Sequence, residues 1–451
     1  MAQRSGGPDR CVNAAHALLV IATLSLVWRA WHTGSIYIAP ILVPELFILS
    51  AGFVLAVCAW RSSLPRAGEF AASIIRQYWF LIILLAAPLL GLLGSSLAGL
   101  AWGMYSFRVA IDYAFLLFAL LFFVIAAYIA FARPRTLKAV FAAIAISSVP
   151  FWLALHRSWQ PLFLVQGNRL RGAGSDPNQL ATWIAVGLIV SIGFFLWERG
   201  RVRWWWFAGG VVNAPLLLWT ASRAGWFTAA VILLAGGVFF LAERFSRERV
   251  RLLGTAFLGI AASLVIGFFL FPIPSRVVIA TRAASPFVSD EQLALITRWV
   301  AGGTEAVPTF EIPSDNRTRL LQEGTTMLLR SPLGFGPAYY LWNPVAVTGS
   351  EYRLGVHNAW LDIGLTAGWL GLGAWAFFMV VVGRGAVRLA RRGEPQFLAL
   401  AASFFALLLF GFFLGMFTVR WFWLIMGLVA AYSMLDGRGE LAPAHEKQKE
   451  S

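Results

Sequence analysis

Of the 451 residues, 59% are hydrophobic and only 13% charged, with a formal net charge of +15. A water-soluble domain carries about 25% charged residues, so this chain has too few to cover a soluble surface. Apolar runs of bilayer-spanning length recur from end to end, which excludes soluble enzymes, disordered chains, collagen-like repeats and disulfide scaffolds and indicates an integral membrane protein.

In chain order, Arg4 and Arg10 precede an apolar stretch in the manner of a signal peptide. Further spans follow and no small-residue cleavage site stands out, so the stretch reads as a retained first span. Runs of roughly 17 to 25 mostly apolar residues predict an all-α fold of about twelve transmembrane helices, at 14–28, 36–60, 78–97, 109–132, 137–156, 179–197, 204–220, 224–241, 252–271, 358–382, 396–416 and 420–435. Residues 1–271 then hold spans one to nine, 272–357 one long extramembrane loop, 358–435 spans ten to twelve, and 436–451 a tail. Cys11 and Cys58 fall near one membrane face and support neither a metal site nor a disulfide.

Positive charge orients these spans. With the N-terminus inside, the inner segments collect Arg61, Arg66 and Arg76, Arg133, Arg135 and Lys138, Arg199 to Arg203, Arg244 to Arg251, Arg384 to Arg392, and Arg438 with Lys447 and Lys449, most of the 36 basic residues. The short outer loops carry far fewer, as the positive-inside rule requires, and both termini are expected in the cytoplasm. The net charge is therefore mostly an orientation signal facing anionic lipid headgroups; nucleic acid is not an expected partner.

The long loop holds seven Arg and seven acids, and loops of this length without a role are uncommon. Two amphipathic helices are expected in it. Ser289 and Gln292 form a capping box before Leu293–Val300, and Ser314 or Asp315 caps a helix ending at Arg330, before Ser331-Pro332 and the turn Gly334-Phe335-Gly336-Pro337.

All three lysines lie in predicted inner segments, so every basic residue predicted outside is Arg. Guanidinium stays charged and grips phosphate oxygens bidentately; general Arg richness of the sequence accounts for the bias equally well. Position singles out three. Arg223, in Thr220-Ala221-Ser222-Arg223-Ala224-Gly225, sits between two apolar spans, where an unpaired charge is costly and marks either function or a snorkelling side chain. Arg171, in Asn168-Arg169-Leu170-Arg171-Gly172-Ala173-Gly174-Ser175-Asp176-Pro177-Asn178, lies in a polar Gly-rich turn leading into the sixth span, where backbone N–H groups add to its hold on an anion. Asp176 or Asn178 there caps the span. Arg319 has Asp315 and Glu323 four residues to either side for ion pairs, whereas Arg317 has Pro313 and Leu321, which leaves Arg317 for a ligand.

Among the five histidines, His357 in Gly355-Val356-His357-Asn358-Ala359-Trp360 stands where the loop re-enters the membrane on the side of these arginines. It serves either as a base near neutral pH, oriented by Asn358, or as a structural cap. No metal-binding motif and no Walker A loop are present, so neither a metal nor another cofactor is expected.

Arg-Gly-x-Gly-x-x-x-Asn before one span, Ser-Arg-x-Gly at another, a long loop with Arg317 and Pro332-Leu333-Gly334-Phe335-Gly336, and His357-Asn358 opening the next span together resemble the bacterial O-antigen ligase and polymerase superfamily over roughly residues 165–435. The resemblance implies a metal-independent glycosyltransferase of the GT-C kind in the bacterial inner membrane, working on the periplasmic face, so that the long loop is periplasmic. It implies an undecaprenyl-diphosphate-linked glycan as donor and, for a ligase, lipid A core oligosaccharide as acceptor. The essential arginines of that family map onto Arg223, Arg317 and Arg171, with Arg169 the alternative to Arg171 and Asn178 beside it, and its histidine onto His357, supported by Asn358. A polysaccharide polymerase, an O-linked protein oligosaccharyltransferase and a lipid-linked oligosaccharide transporter are the alternatives.

Overall fold

A computed structural model describes residues 7–25, 43–61, 64–97, 106–160, 164–165, 168–170, 177–243, 246–285, 287, 290–300, 315–337, 339, 356–415 and 419–441. Helices dominate. In chain order they are α1 (Gly7–Ser25), α2 (Val43–Arg61), α3 (Ala67–Tyr78), α4 (Leu81–Leu97), α5 (Ser106–Ala132), α6 (Thr136–Ile146), α7 (Pro177–Trp197), α8 (Val202–Trp219), α9 (Arg223–Glu243) and α10 (Arg247–Leu270). They continue as α11 (Ile273–Ala284), α12 (Asp290–Val300), α13 (Asp315–Arg330), α14 (Ala359–Ala390), α15 (Pro395–Phe410) and α16 (Arg420–Gly437). The strands β1 (Leu164–Val165) and β2 (Arg169–Leu170) pair antiparallel in the chain that leads to α7.

Among the described residues, six helices are long and apolar enough to cross a membrane, seven if α3 and α4, bent by 56° at Trp79–Phe80, are taken as one broken span. The chain is a multi-pass, all-α membrane protein. Apolarity all round a helix means burial on all sides, by protein or by lipid. α7 and α16 are the protein-buried kind: α16 is buried continuously from Arg420 to Leu435, packed against α5, and α7 is flanked by α8, α9 and α15. α10 is the lipid-facing kind, turning Phe257, Leu258, Val265, Ile266 and Phe269 outward.

The basic segments meet at one end of the bundle. Arg66 pairs with Glu69 and Glu440, Arg438 with Glu69, Lys138 with Glu198, and Arg392 with Glu394 and Asp436. At the same end Arg133 Nη1 donates to Asn13 Oδ1. The sequence expectation for the cysteines is corrected here. α1 and α2 pack side by side, which brings the first turn of one to the last turn of the other, and Cys11 and Cys58 form a disulfide across a Cα separation of 6.4 Å. Two residues 47 positions apart become neighbours only through that hairpin.

Within the long loop, α12 and α13 occupy the two segments where helices are expected; Ser289 lies outside the described residues. A third helix, α11, is present as well. It continues almost directly from α10, with Pro272 between, and its polar residues hid it from a reading based on apolar runs.

The Pro332–Gly336 stretch is not a surface turn. α14 is broken at Gly368 (φ 66°, ψ −167°), and the carbonyls left open there accept from the loop: Phe335 N–H donates to Leu365 O (2.7 Å) and Gly336 N–H to Thr366 O (3.0 Å), while Trp369 N–H donates to Pro332 O (2.9 Å). Irregular backbone within a span survives only where protein satisfies its polar groups, which this exchange does. The other side of the loop is closed by α4, whose Gly91 leaves room for Gly336 N and Leu333 O.

Candidate functional site

The end opposite the salt-bridged one holds Arg169, Asn178, Arg223, His357 and Asn358 among the residues singled out from the sequence. The Ser-Arg-x-Gly segment shows what each residue does. Ser222 Oγ accepts from Gly225 N–H and caps α9, which sets Arg223 at its first position. Gly225 lets α9 approach Ala181 of α7, where a Cβ would come within 2.9 Å. Thr220 and Ser222 are fully buried, whereas Arg223 is exposed and its guanidinium reaches Ser285 Oγ at 3.5 Å.

Arg169 holds this turn from one side: its Nε donates to Thr220 O (2.9 Å) and its Nη2 to Asn178 Oδ1 (3.1 Å), so Asn178 binds β2 to the start of α7. α11 holds it from the other. Arg282 Nη1 donates to Ala221 O (3.4 Å), and Ser275 Oγ donates to Asn168 O (2.7 Å). Arg276, one residue on, has its Nε buried with no hydrogen-bond partner among the described residues. Arg171 and Asp176 lie outside the described residues.

His357 sits at φ 50°, exposed, immediately before the cap of α14. Asn358 Oδ1 accepts from both Trp360 N–H and Leu361 N–H (3.0 Å each), and its Nδ2 donates to Phe412 O (3.2 Å). Ala359 N–H donates to Gly411 O (2.7 Å). Beneath them, the Tyr339 hydroxyl lies 3.1 Å from Asp362 Oδ1 and accepts from Val356 N–H at 3.4 Å. The turn at 411–413 also touches α9, where the Phe227 ring lies 6.2 Å from that of Phe413, one helical turn from Arg223. Arg223 and His357 thus flank one turn, at one end of the bundle.

α13 runs alongside the start of α14. Gly324 faces Val356 and Leu361, and Gly364 faces Leu328, with a Cβ at either glycine meeting side chains at 2.8 Å. Arg317 belongs to the first turns of α13, two helical turns before Gly324; its side chain lies outside the described set. Arg319 is engaged locally, with its Nε 2.6 Å from Glu323 Oε1.

A family model described as O-antigen ligase matches residues 211–376. That match supports the O-antigen ligase and polymerase superfamily. No curated protein matches it. The matched segment begins in α8, takes in the Ser222-Arg223 cap, α11, α13, the Pro332–Gly336 stretch and His357, and ends just beyond the break in α14. The family implies a glycosyltransferase-like enzyme of ligase or polymerase type.

Two cations in the matched segment escaped the sequence reading, Arg276 and Arg282. For Arg282 a signal was available: it lies seven residues from Ser275, on one helical stripe. A third, Arg420, buried at the start of α16, lies outside the match at the same end of the bundle.

Proposed function

We propose that this transferase is an O-antigen ligase, moving a glycan from undecaprenyl diphosphate to the lipid A core oligosaccharide with inversion at the transferred sugar carbon and without a metal. In this reading the twelve predicted spans cross the bacterial inner membrane, the salt-bridged end with both termini faces the cytoplasm, and the end carrying Arg223 and His357 faces the periplasm. The observation that supports it is the joining of the α9 cap and the α14 cap through Phe412 and Phe413. Cations and an imidazole drawn from distant parts of the chain lie at one end of the bundle.

The chemistry follows from those groups. An acceptor hydroxyl oxygen attacks C1 of the donor sugar while the His357 imidazole takes its proton. The C1–O bond to phosphate breaks on the opposite side, and the electron pair leaves on undecaprenyl diphosphate. Arg223, Arg317 and Arg171 neutralise that leaving group, preorganised guanidinium groups being worth most where water is scarce. Arg169 and Asn178 keep the Thr220 turn in place, and Asn358 sets the direction in which His357 emerges.

The test is a purified-component assay: the detergent-solubilised protein with lipid-linked glycan, and either lipid A core or further donor, in buffer with and without chelator. Product on lipid A core, undiminished by chelator, supports the ligase. Growth of the donor glycan alone identifies a polymerase, and no covalent product in the absence of any gradient identifies a transporter; either outcome overturns the ligase assignment.

A further inference from the structure

At the other end of α14, beyond its break at Gly368 and some thirty residues from His357, a groove of about 430 Å³ lies between α14 and α15. Its walls change character along their length. Arg384, Arg388 and Arg391 line the end nearest the helix terminus, and Met379, Val380, Phe404, Phe405 and Leu408 line the part nearer the middle of the span. The arginines recur at intervals of four and three, so they stand on one face of α14. All three are exposed. Arg388 has a neutral partner, Ser433 Oγ at 3.3 Å.

The contrast with Arg392 is informative. That residue, on another face of the same helix end, is compensated by Glu394 and Asp436. No acidic residue lines the groove. Among the described residues, no carboxylate lies within ion-pair distance of Arg384, Arg388 or Arg391. Three like charges converging on a membrane-facing groove call for an anion, and the apolar continuation calls for a hydrocarbon chain attached to it. Gly383 keeps the passage open, since a Cβ there would sit 3.5 Å from the Phe404 ring.

We infer that this groove binds an anionic glycerophospholipid of the leaflet at the salt-bridged end, its phosphate held by Arg384, Arg388 and Arg391 and one acyl chain lying along Val380, Phe405 and Leu408. Guanidinium forks match phosphate oxygens bidentately, and basic pockets between transmembrane helices are sites of this kind. The site is separate from the transfer chemistry and does not depend on the choice of acceptor.

Native mass spectrometry of the full-length protein in detergent tests it, titrating phosphatidylglycerol against phosphatidylcholine. Replacing all three arginines (Arg384→Gln, Arg388→Gln, Arg391→Gln) is expected to weaken phosphatidylglycerol binding about a hundredfold, at about fivefold per charge. Gly383→Leu, which fills the passage without altering charge, is expected to weaken it as well. Arg247→Gln with Arg251→Gln, exposed basic residues of α10 at the same end, should change it by less than about twofold. Equal losses in the α10 variant would reduce the effect to general surface charge and overturn the site. So would displacement of the lipid by equimolar inorganic phosphate, or preference for a polyprenyl phosphate over phosphatidylglycerol.

Discussion

The seat of the Pro332–Gly336 loop can be broken at one atom. Gly368→Ala places a Cβ 2.3 Å from Pro332 O and 2.4 Å from Leu333 C, both backbone atoms that cannot rotate away. Its φ of 66° with ψ of −167° lies in a region open essentially to glycine, a strain of about 1–3 kcal/mol for alanine. To relieve the clash the loop must withdraw, and three backbone hydrogen bonds join it to α14, each worth about 1 kcal/mol net. Together these amount to about 4–6 kcal/mol against the native seating. The companion variant is Gly373→Ala in the same helix, where a Cβ meets nothing within 4 Å and the change is neutral or stabilising by up to about 1 kcal/mol. Thermal unfolding in detergent, measured beside glycan transfer, reads both. The expected result is a lowered melting temperature and at least tenfold slower transfer for Gly368→Ala alone, because α13 and the approach to His357 are tied to this loop. If Gly368→Ala melts with the companion and transfers at the parental rate, the loop does not position the site.

Three further outcomes are expected. His357→Ala and Arg223→Ala should each reduce transfer by about 10²-fold or more, the range for removing a general base or a preorganised charge, at unchanged expression and melting temperature; full activity of the first removes the proposed base. Arg319→Ala should be milder than Arg317→Ala in kcat/KM, because an exposed i,i+4 pair such as Arg319–Glu323 contributes only about 0.3–0.5 kcal/mol; the reverse order would move the ligand role to Arg319. Asn358→Ala removes an acceptor for two backbone N–H groups and the tie to Phe412 O, so it should cost about 1–2 kcal/mol of stability, seen as a lower melting temperature, with a larger fall in kcat than in substrate affinity.

What the sequence made legible was whatever depends on local composition. The apolar runs and the clustering of Arg and Lys marked most of the helices, and helical spacing alone paired Arg319 with Glu323. The end of α13 at Arg330 followed from neighbouring residues. Features requiring distant segments to meet were not legible. α11 is short and polar enough to pass for loop, and only contact with Ala221 and Asn168 shows why it is helical there. Pro332–Gly336 reads as a turn in isolation, because the partners that make it a structural plug are carbonyls of a helix thirty residues later. The same holds for Cys11 and Cys58, whose separation along the chain concealed a covalent bond.

The turn at Gly411–Phe413 carries a consequence for how such transferases are compared. It joins the start of α14 to α9, next to His357 and one turn from Arg223, yet it falls beyond residue 376, outside the matched segment. Grafting residues 211–376 of a relative onto this scaffold would therefore import the proposed groups Arg223, Arg317 and His357 while leaving Arg171 and this spacer behind, and specificity in such hybrids should track the origin of the spacer as closely as that of the groups it separates.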